Sequence, residues 1–551
     1  PLLTTLVSAS REGGAWSLGG FREFLQRPDE WLALWRSLWI SAASVALAAI
    51  VGIPLGFVFE RTEFPGRRFL GALMALPVAL PPLVGVIAFL FLYGESGFVS
   101  RAVQAVLGLD AAPWRLHGAG AILLVHTYSF YVYFYLFTRA GLARLDAALG
   151  EAAAALGAGR GRTLWRVTLP LLRPALAGAA LLTFMTALAS FSAPYIFGGG
   201  FRVMTTQIVA SRLNGELTLA QVETVMLAAV ALAGLWLMQR SGGRAQVAGA
   251  VRGVAPARRR LRTPFARIGA ACAGYGLAAV LLLPHATLVL ISFVPPGTWT
   301  SEALPPVLDG GNYLRFLSEP ERLRPVANSL WMAAAATGLA LALGFAAARG
   351  VVGSGVERGG TGPRGGGRGR ADTGQARRGW IGKLLETLIA LPWAVPGTVF
   401  AVALATTHSA FQPWFGRLLL IGTPWILPLA YLVRSLPVTG RAALAGLGQL
   451  DPALEEASAS LGAGRGKTLW RVVVPLVRPA LAAGASLAFI TALGDFVTSI
   501  LLYTYETRPI SMEILSALRL QELGLAAVYG VLLMAVGTAA FVFWGRGEVA
   551  A

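Results

Sequence analysis

The chain has 551 residues, of which 56% are hydrophobic and only 13% charged, and its net charge is +19. Soluble domains carry about 25% charged residues, so the composition excludes an ordinary soluble fold and points to an all-α chain that crosses a membrane many times. A single cysteine, Cys272, excludes an intrachain disulfide. The scattered histidines His117, His126, His285 and His408 argue against a metal centre. The positive balance reads as loop charge that sets membrane topology, so no nucleic-acid partner is expected.

In chain order, the first half has long uncharged runs over 37–59, 70–93, 118–138, 174–200 and 224–239. The second half has them over 268–296, 325–348, 387–416, 418–433, 479–505 (interrupted only by Asp495) and 523–545. Each can cross a bilayer as a helix, because other lipid-exposed backbone would leave its polar groups unpaired. The runs 224–239 and 418–433 are short and must borrow flanking residues. Internal repetition explains why the halves have five and six runs. Arg36-Ser37-Leu38-Trp39 returns as Asn328-Ser329-Leu330-Trp331, and Ala75-Leu76-Pro77 with Pro81 returns as Ala390-Leu391-Pro392 with Pro396. The opening Pro1–Ser8 parallels Pro284–Ser292, so the sequence is expected to start near the end of a first helix and to belong to two six-helix repeats. These are 1–240 and 268–545, joined by a basic linker at 241–267. The second contains a Gly/Arg-rich loop, 349–383, expected to be a basic spacer.

Charge sets the orientation. Segments 60–69, 139–173, 240–267, 349–383, 434–478 and the C-terminus fall on one side and hold 32 of the 46 Lys and Arg. That side is expected to be cytoplasmic.

The strongest signal is a polar stretch that occurs twice, Glu151–Pro170 (EAAAALGAGRGRTLWRVTLP) and Glu456–Pro475 (EASASLGAGRGKTLWRVVVP). Asp146 and Asp451 can cap the helix that leads into each copy, small residues give it a smooth surface, and Gly157 and Gly462 can end it in a left-handed conformation. Gly466-Lys467-Thr468 imitates the end of a phosphate-binding loop, but Leu461 stands where that loop needs glycine, so nucleotide binding by this chain is rejected. No arrangement suggests a catalytic residue, a bound metal or a cofactor.

This stretch resembles the cytoplasmic EAA loop of ABC-transporter permeases. Copy one supplies Glu151, Ala152, Ala153 and Gly157, and copy two Glu456, Ala457, Ser458 and Gly462, with Ser458 departing from alanine. The chain as a whole resembles the fused two-repeat permeases of bacterial binding-protein-dependent importers, in particular the ferric-iron and thiamine group. The resemblance implies a type I importer transmembrane domain in the inner membrane, with the EAA loops (146–170 and 451–475) docked on a separate ATPase, present in two copies. It also implies a periplasmic or lipid-anchored substrate-binding protein. Ferric iron is the expected substrate; thiamine, phosphonate and polyamine permeases share the architecture. An ion-coupled transporter or a membrane-embedded enzyme would need more intramembrane polar groups than this chain shows.

One ionisable residue does stand out. Asp495 lies in an apolar run, with Ser190 as its repeat counterpart. It either lines a path and meets a cation or makes a hydrogen-bonded helix contact. Prolines 77, 81, 82, 392 and 396 should break helices. His126 with Tyr128, Tyr131, Tyr133 and Tyr135 either lines the path or forms an aromatic belt.

Overall fold

The structure is a computed structural model that describes residues 1–12, 15–242, 258–260, 263–299, 302, 304–356, 380–409 and 419–545. Most of the linker expected at 241–267 and residues 357–379 of the Gly/Arg-rich loop lie outside the described residues. The principal helices of the first half are α1 (Pro28–Arg61), α2 (Pro82–Tyr93), α3 (Gly118–Ala143), α4 (Ala147–Ala155), α5 (Leu169–Leu188), α6 (Met204–Leu213) and α7 (Leu217–Gly242). Those of the second half are α8 (Pro264–Ser292), α9 (Pro320–Val356), α10 (Trp380–Ala394), α11 (Gly397–His408), α12 (Ile426–Gly448), α13 (Pro452–Ser460), α14 (Val474–Leu493), α15 (Ile510–Arg519) and α16 (Leu523–Gly545). Among the described residues, nine helical segments are long and apolar enough to cross a membrane.

Several uncharged runs are not single helices. Run 70–93 splits at Leu76–Ala79, a 3₁₀ turn containing Pro77, and α2 starts at Pro82, which needs no backbone donor there. Run 174–200 stops at Leu188, and run 479–505 stops at Leu493. Run 224–239 borrows flanking residues as expected, extending to Leu217–Gly242. Run 418–433 supplies only the start of α12, which continues through Arg434 and Arg441 to Gly448.

The helices form two compact units. Unit 1 contains residues 1–318, 396–417 and 514–531, and unit 2 contains 319–395, 418–513 and 532–551. Unit 1 therefore includes α11 from the second half, and every residue of that helix is buried. It packs on Leu2–Ala9 and α7, where Thr407 Oγ1 donates to Thr4 Oγ1 at 3.2 Å.

Each unit is built on a close helix pair. In unit 1, α1 meets α3 at Gly52, where an added Cβ would lie 2.3 Å from the Tyr131 carbonyl oxygen and 2.6 Å from Phe134 Cβ. In unit 2, α9 meets α12 at Gly344, where an added Cβ would lie 2.9 Å from both Gly440 N and Thr439 Oγ1. Gly52 and Gly344 have the same spacing that relates Ser37 to Ser329. Helices in lipid gain little from the hydrophobic effect and associate through such small-residue approaches. Thr439 Oγ1 adds an interhelical bond to Ala340 O at 2.9 Å.

Three of the α3 tyrosines hydrogen-bond carbonyls of distant segments. Tyr135 OH donates to Gly71 O at 2.9 Å and Tyr131 OH to Met74 O at 2.7 Å, at the end of the short helix Arg67–Leu73. Tyr128 OH donates to Leu281 O at 2.9 Å. A helix ending in an apolar setting leaves carbonyls unpaired, and the Tyr131 and Tyr135 hydroxyls satisfy two of them.

Valine at Gly52 or Gly344 forces backbone against side chain. Each substitution is expected to cost about 1–3 kcal/mol or more and to sharply lower the yield of monodisperse protein in fluorescence-detected size-exclusion chromatography. Alanine at Gly338, where an added Cβ meets open space, should leave the yield unchanged.

Candidate coupling and translocation sites

The two EAA stretches fold alike. Asp146 Oδ1 accepts from Ala148 N and Asp451 Oδ1 from Ala453 N, both at 3.0 Å, capping α4 and α13 as the sequence leads one to expect. Each helix ends at a left-handed glycine, Gly157 (φ 75°) and Gly462 (φ 78°), with Ala158 N donating to Ala153 O and Ala463 N to Ser458 O. Neither helix buries a residue: Glu151, Ala152, Glu456 and Ala457 are exposed, while Ala153 and Ser458 are half-buried. Leu156 and Leu461, just beyond the helices, are 88% and 89% exposed. Such leucines gain nothing within this chain and suit a surface that a partner covers.

Behind each foot, a short basic helix leads into a π-helical turn, Leu164–Thr168 in copy one and Leu469–Val473 in copy two. Leu169 N donates back to Leu164 O, and Val474 N to Leu469 O. The next residue is Pro170 or Pro475, which has no N–H and whose ring crowds the carbonyl four residues earlier. The wider turn accommodates the proline where an α-helix would kink.

The feet differ in how they are held. In unit 2, Arg349 clamps Glu455 through two hydrogen bonds of 2.6 and 2.8 Å. These bonds hold the Glu455 carboxyl below its ordinary range. Ser458 Oγ bonds Thr468 Oγ1 at 2.9 Å, tying the two short helices of the foot together. In copy one, Gly150 and Ala153 occupy the matching positions and offer neither bond, while Thr163 Oγ1 turns back to Gly159 O at 3.2 Å. The departure of Ser458 from alanine thus has a structural role.

Ser190 and Asp495 both lie just beyond a helix end rather than inside a helix. Their surroundings follow one plan. Ser37 Oγ accepts from Met204 N at 2.7 Å in unit 1, and Ser329 Oγ accepts from Ile510 N at 2.8 Å in unit 2. The next residue in each case donates its hydroxyl to the carbonyl at the break, Thr205 to Ser190 O at 2.8 Å and Ser511 to Asp495 O at 2.9 Å. Arg36 reaches Gly200 O at 3.0 Å, and Asn328 reaches Glu506 O and Arg508 O at 2.8 and 3.1 Å. The repeated tetrapeptides are thus the struts of the two breaks.

The side chains at the breaks differ. Ser44 Oγ donates to Ile40 O at 2.7 Å, so it accepts from His126 Nδ1–H at 2.8 Å, and His126 Nε2 is left to accept from Ser190 Oγ at 2.9 Å. This is a neutral chain around a buried imidazole. In unit 2 the carboxylate of Asp495 accepts from Arg434 Nη1 through Oδ2 and from Thr498 N through Oδ1 at 2.8 Å. Arg434 Nη1 also reaches Thr498 Oγ1 at 2.9 Å. Sequence reasoning placed Arg434 in a cytoplasmic loop because the uncharged run ended at Val433. Yet α12 continues well past that point, so Arg434 is helical rather than in a loop, and it pairs with the carboxylate of Asp495. Asp495 without a partner in its own run was the signal that a cation had to approach from elsewhere.

With this geometry in view, residues 52–245 and 373–546 match the family of binding-protein-dependent transport system inner membrane components. The chain belongs to that family. Over 92% of its length it is 31% identical to the probable ABC transporter permease protein y4fN of Sinorhizobium fredii, covering 86% of that protein. It is 27% identical over the same share to the ferric transport system permease protein FbpB of Actinobacillus pleuropneumoniae, covering 70% of it. The molybdenum transport system permease protein ModB of Escherichia coli is 33% identical over 30% of this chain and 72% of ModB. A crystal structure of a bacterial ABC transporter involved in alginate import aligns with 52% of this chain and 97% of its own at 18% identity, with a TM-score of 0.37. The protein is an ABC importer permease, an all-α, multi-pass inner-membrane chain of two homologous repeats.

Two predictions follow from these sites. Asp495→Leu strands Arg434 and is expected to cost on the order of 2–3 kcal/mol, less than for a fully buried pair because the Arg434 side chain is 35% exposed. Adding Arg434→Leu should recover most of that loss of thermal stability in detergent. The Glu455 pair is half-exposed and screened, worth about 0.5–1 kcal/mol. Because the folded carboxyl is depressed, this contribution is present above its ordinary value of 4.5 and disappears as pH falls through the folded value. Arg349→Gln, or acidification, should raise normalised deuterium uptake about 2–5-fold in Pro452–Ser460 and leave Ala147–Ala155 unchanged.

Proposed function

We propose that this permease forms the translocation path of an ATP-driven importer for ferric iron and takes its energy from a separate ATPase, two copies of which dock on the feet at Glu151–Gly157 and Glu456–Gly462. The observation that carries this reading is the duplicated foot, with its Asp cap, left-handed glycine, uncovered leucine and π-helical turn. A surface exposed in the same way at both copies suits two copies of one partner. The excess of basic residues on the side of both feet supports a cytoplasmic location for the feet and the C-terminus. A soluble or lipid-anchored binding protein delivers substrate from the opposite side. Residues 1–240 and 268–545 act as the two repeats, with 241–267 as their linker. Ser190 and Asp495 mark the helix breaks along the path, where Asp495 acts through its pair with Arg434 rather than as a bare cation ligand.

The ferric reading rests on the long match to FbpB. The shorter match to ModB supports a second reading in which the substrate is an oxyanion such as molybdate. Reconstituted with its ATPase, the permease is expected to hydrolyse ATP faster with iron-loaded binding protein. Stimulation by molybdate-loaded binding protein alone would replace iron and keep the mechanism. Glu151→Lys combined with Glu456→Lys is expected to abolish co-purification of the ATPase. Unimpaired co-purification would refute the role of the feet.

A further inference from the structure

Unit 1 buries two carboxylic acids that the transport reading does not use. Glu30 lies in the first turn of α1 and Glu223 near the start of α7, and they are only 1% and 0% exposed. Helix α6 reaches both: Gln207 Nε2 donates to Glu30 Oε1 at 3.0 Å, and one turn further Ser211 Oγ donates to Glu223 Oε1 at 2.6 Å. The second oxygens, Glu30 Oε2 and Glu223 Oε2, have no hydrogen-bond partner, and the two acids are held side by side by residues four apart on one face of α6.

Two ionised carboxylates so placed would repel each other after both had lost their hydration. A single proton between them removes the repulsion and satisfies both unpartnered oxygens. We infer that Glu30 and Glu223 bind one proton between their Oε2 atoms, and that the resulting acid–carboxylate hydrogen bond fastens α6 and α7 to α1. The other charges facing the pair are Glu216 at the start of α7 and Arg27 before α1. Arg27 is engaged at the surface by Glu216 at 3.0 Å and Glu23 at 2.5 Å. Of the other elements packed on α7, Leu2–Ala9 brings no ionisable side chain, the short helix Gly19–Gln26 brings Arg22 and Glu23, α5 brings Arg173, and α11 brings His408.

The device belongs to one repeat. The spacing that carries Ser37 to Ser329 carries Glu30 to Arg322, and the spacing that carries Met204 to Ile510 carries Glu223 to Tyr529, which packs edge-on against Phe316. Loss of the proton sets two like charges in the contact between three helices, so unit 1 loosens as the medium turns alkaline.

The test needs only the purified full chain and is independent of substrate and ATPase. Infrared difference spectra are recorded from about pH 6 to about pH 10, well above an ordinary carboxylate. A protonated-carboxyl carbonyl band that shifts in deuterium oxide is expected at neutral pH, with bleaching at alkaline pH. Glu223→Gln and Glu30→Gln should each remove it. Glutamine at 223 supplies an N–H donor to Glu30 in place of the proton. The thermal midpoint of that variant should therefore stay level with pH, whereas that of the wild type falls as pH rises, because the native state holds a proton the unfolded chain releases. Absence of the band in the wild type, which is read without any variant, overturns the inference. So does a band of equal size in both variants, or one that appears only after sodium, potassium and divalent ions are removed, which would make the pair a metal-cation site.

Discussion

A helix that stops within an apolar segment leaves amides and carbonyls that no water will satisfy, and both repeats are organised around that obligation. At each break a serine from the preceding long helix receives the first amide of the next short helix, Ser37 for Met204 and Ser329 for Ile510. A hydroxyl from the following residue then closes the carbonyl at the break. The glycine approaches at Gly52 and Gly344 bring the long helices α1 and α9 against their partners in the two units.

On this common frame the repeats have diverged electrostatically. The first break is closed by a neutral chain from Ser44 through His126 to Ser190, and the second by an ion pair between Arg434 and Asp495. Removing one partner of the ion pair leaves an uncompensated charge, whereas removing one hydroxyl of the neutral chain does not. The same contrast appears at the feet, where only the second is clamped by Arg349 and Ser458. The buried acid pair Glu30–Glu223 reverses it, adding an ionisable latch to the first repeat alone. A duplicated importer thus has two halves with similar backbones and different responses to charge.

Much of this was legible in the sequence because it depends on local chemistry. The aspartate caps, the left-handed glycines and the paired EAA stretches follow from residue types at fixed spacing, and the folded feet repeat them faithfully. The repeated Ser-Leu-Trp tripeptides reveal the duplication, although nothing in them tells that their serines cap distant helices. The breaks at Ser190 and Asp495 were hidden because composition alone cannot distinguish one long apolar helix from two helices joined by a hydrogen-bonded corner. Arg434 reads as a loop residue for a related reason: periodicity and charge say where an unpaired arginine can go, and this one is paired with a residue 61 positions away. The role of the α3 tyrosines was equally invisible, since the carbonyls they bond belong to residues far away in the chain.

The burial of α11 in unit 1 constrains the order in which the protein can be made. Domains commonly mature in sequence as the chain leaves the ribosome. Unit 1 cannot do so, because it incorporates residues 396–417 and 514–531. Helix α7 and Leu2–Ala9 must wait in the membrane with their contact faces uncovered until α11 is inserted beside them. During that interval the early helices present apolar and threonine-bearing surfaces to lipid and to any insertion factor nearby.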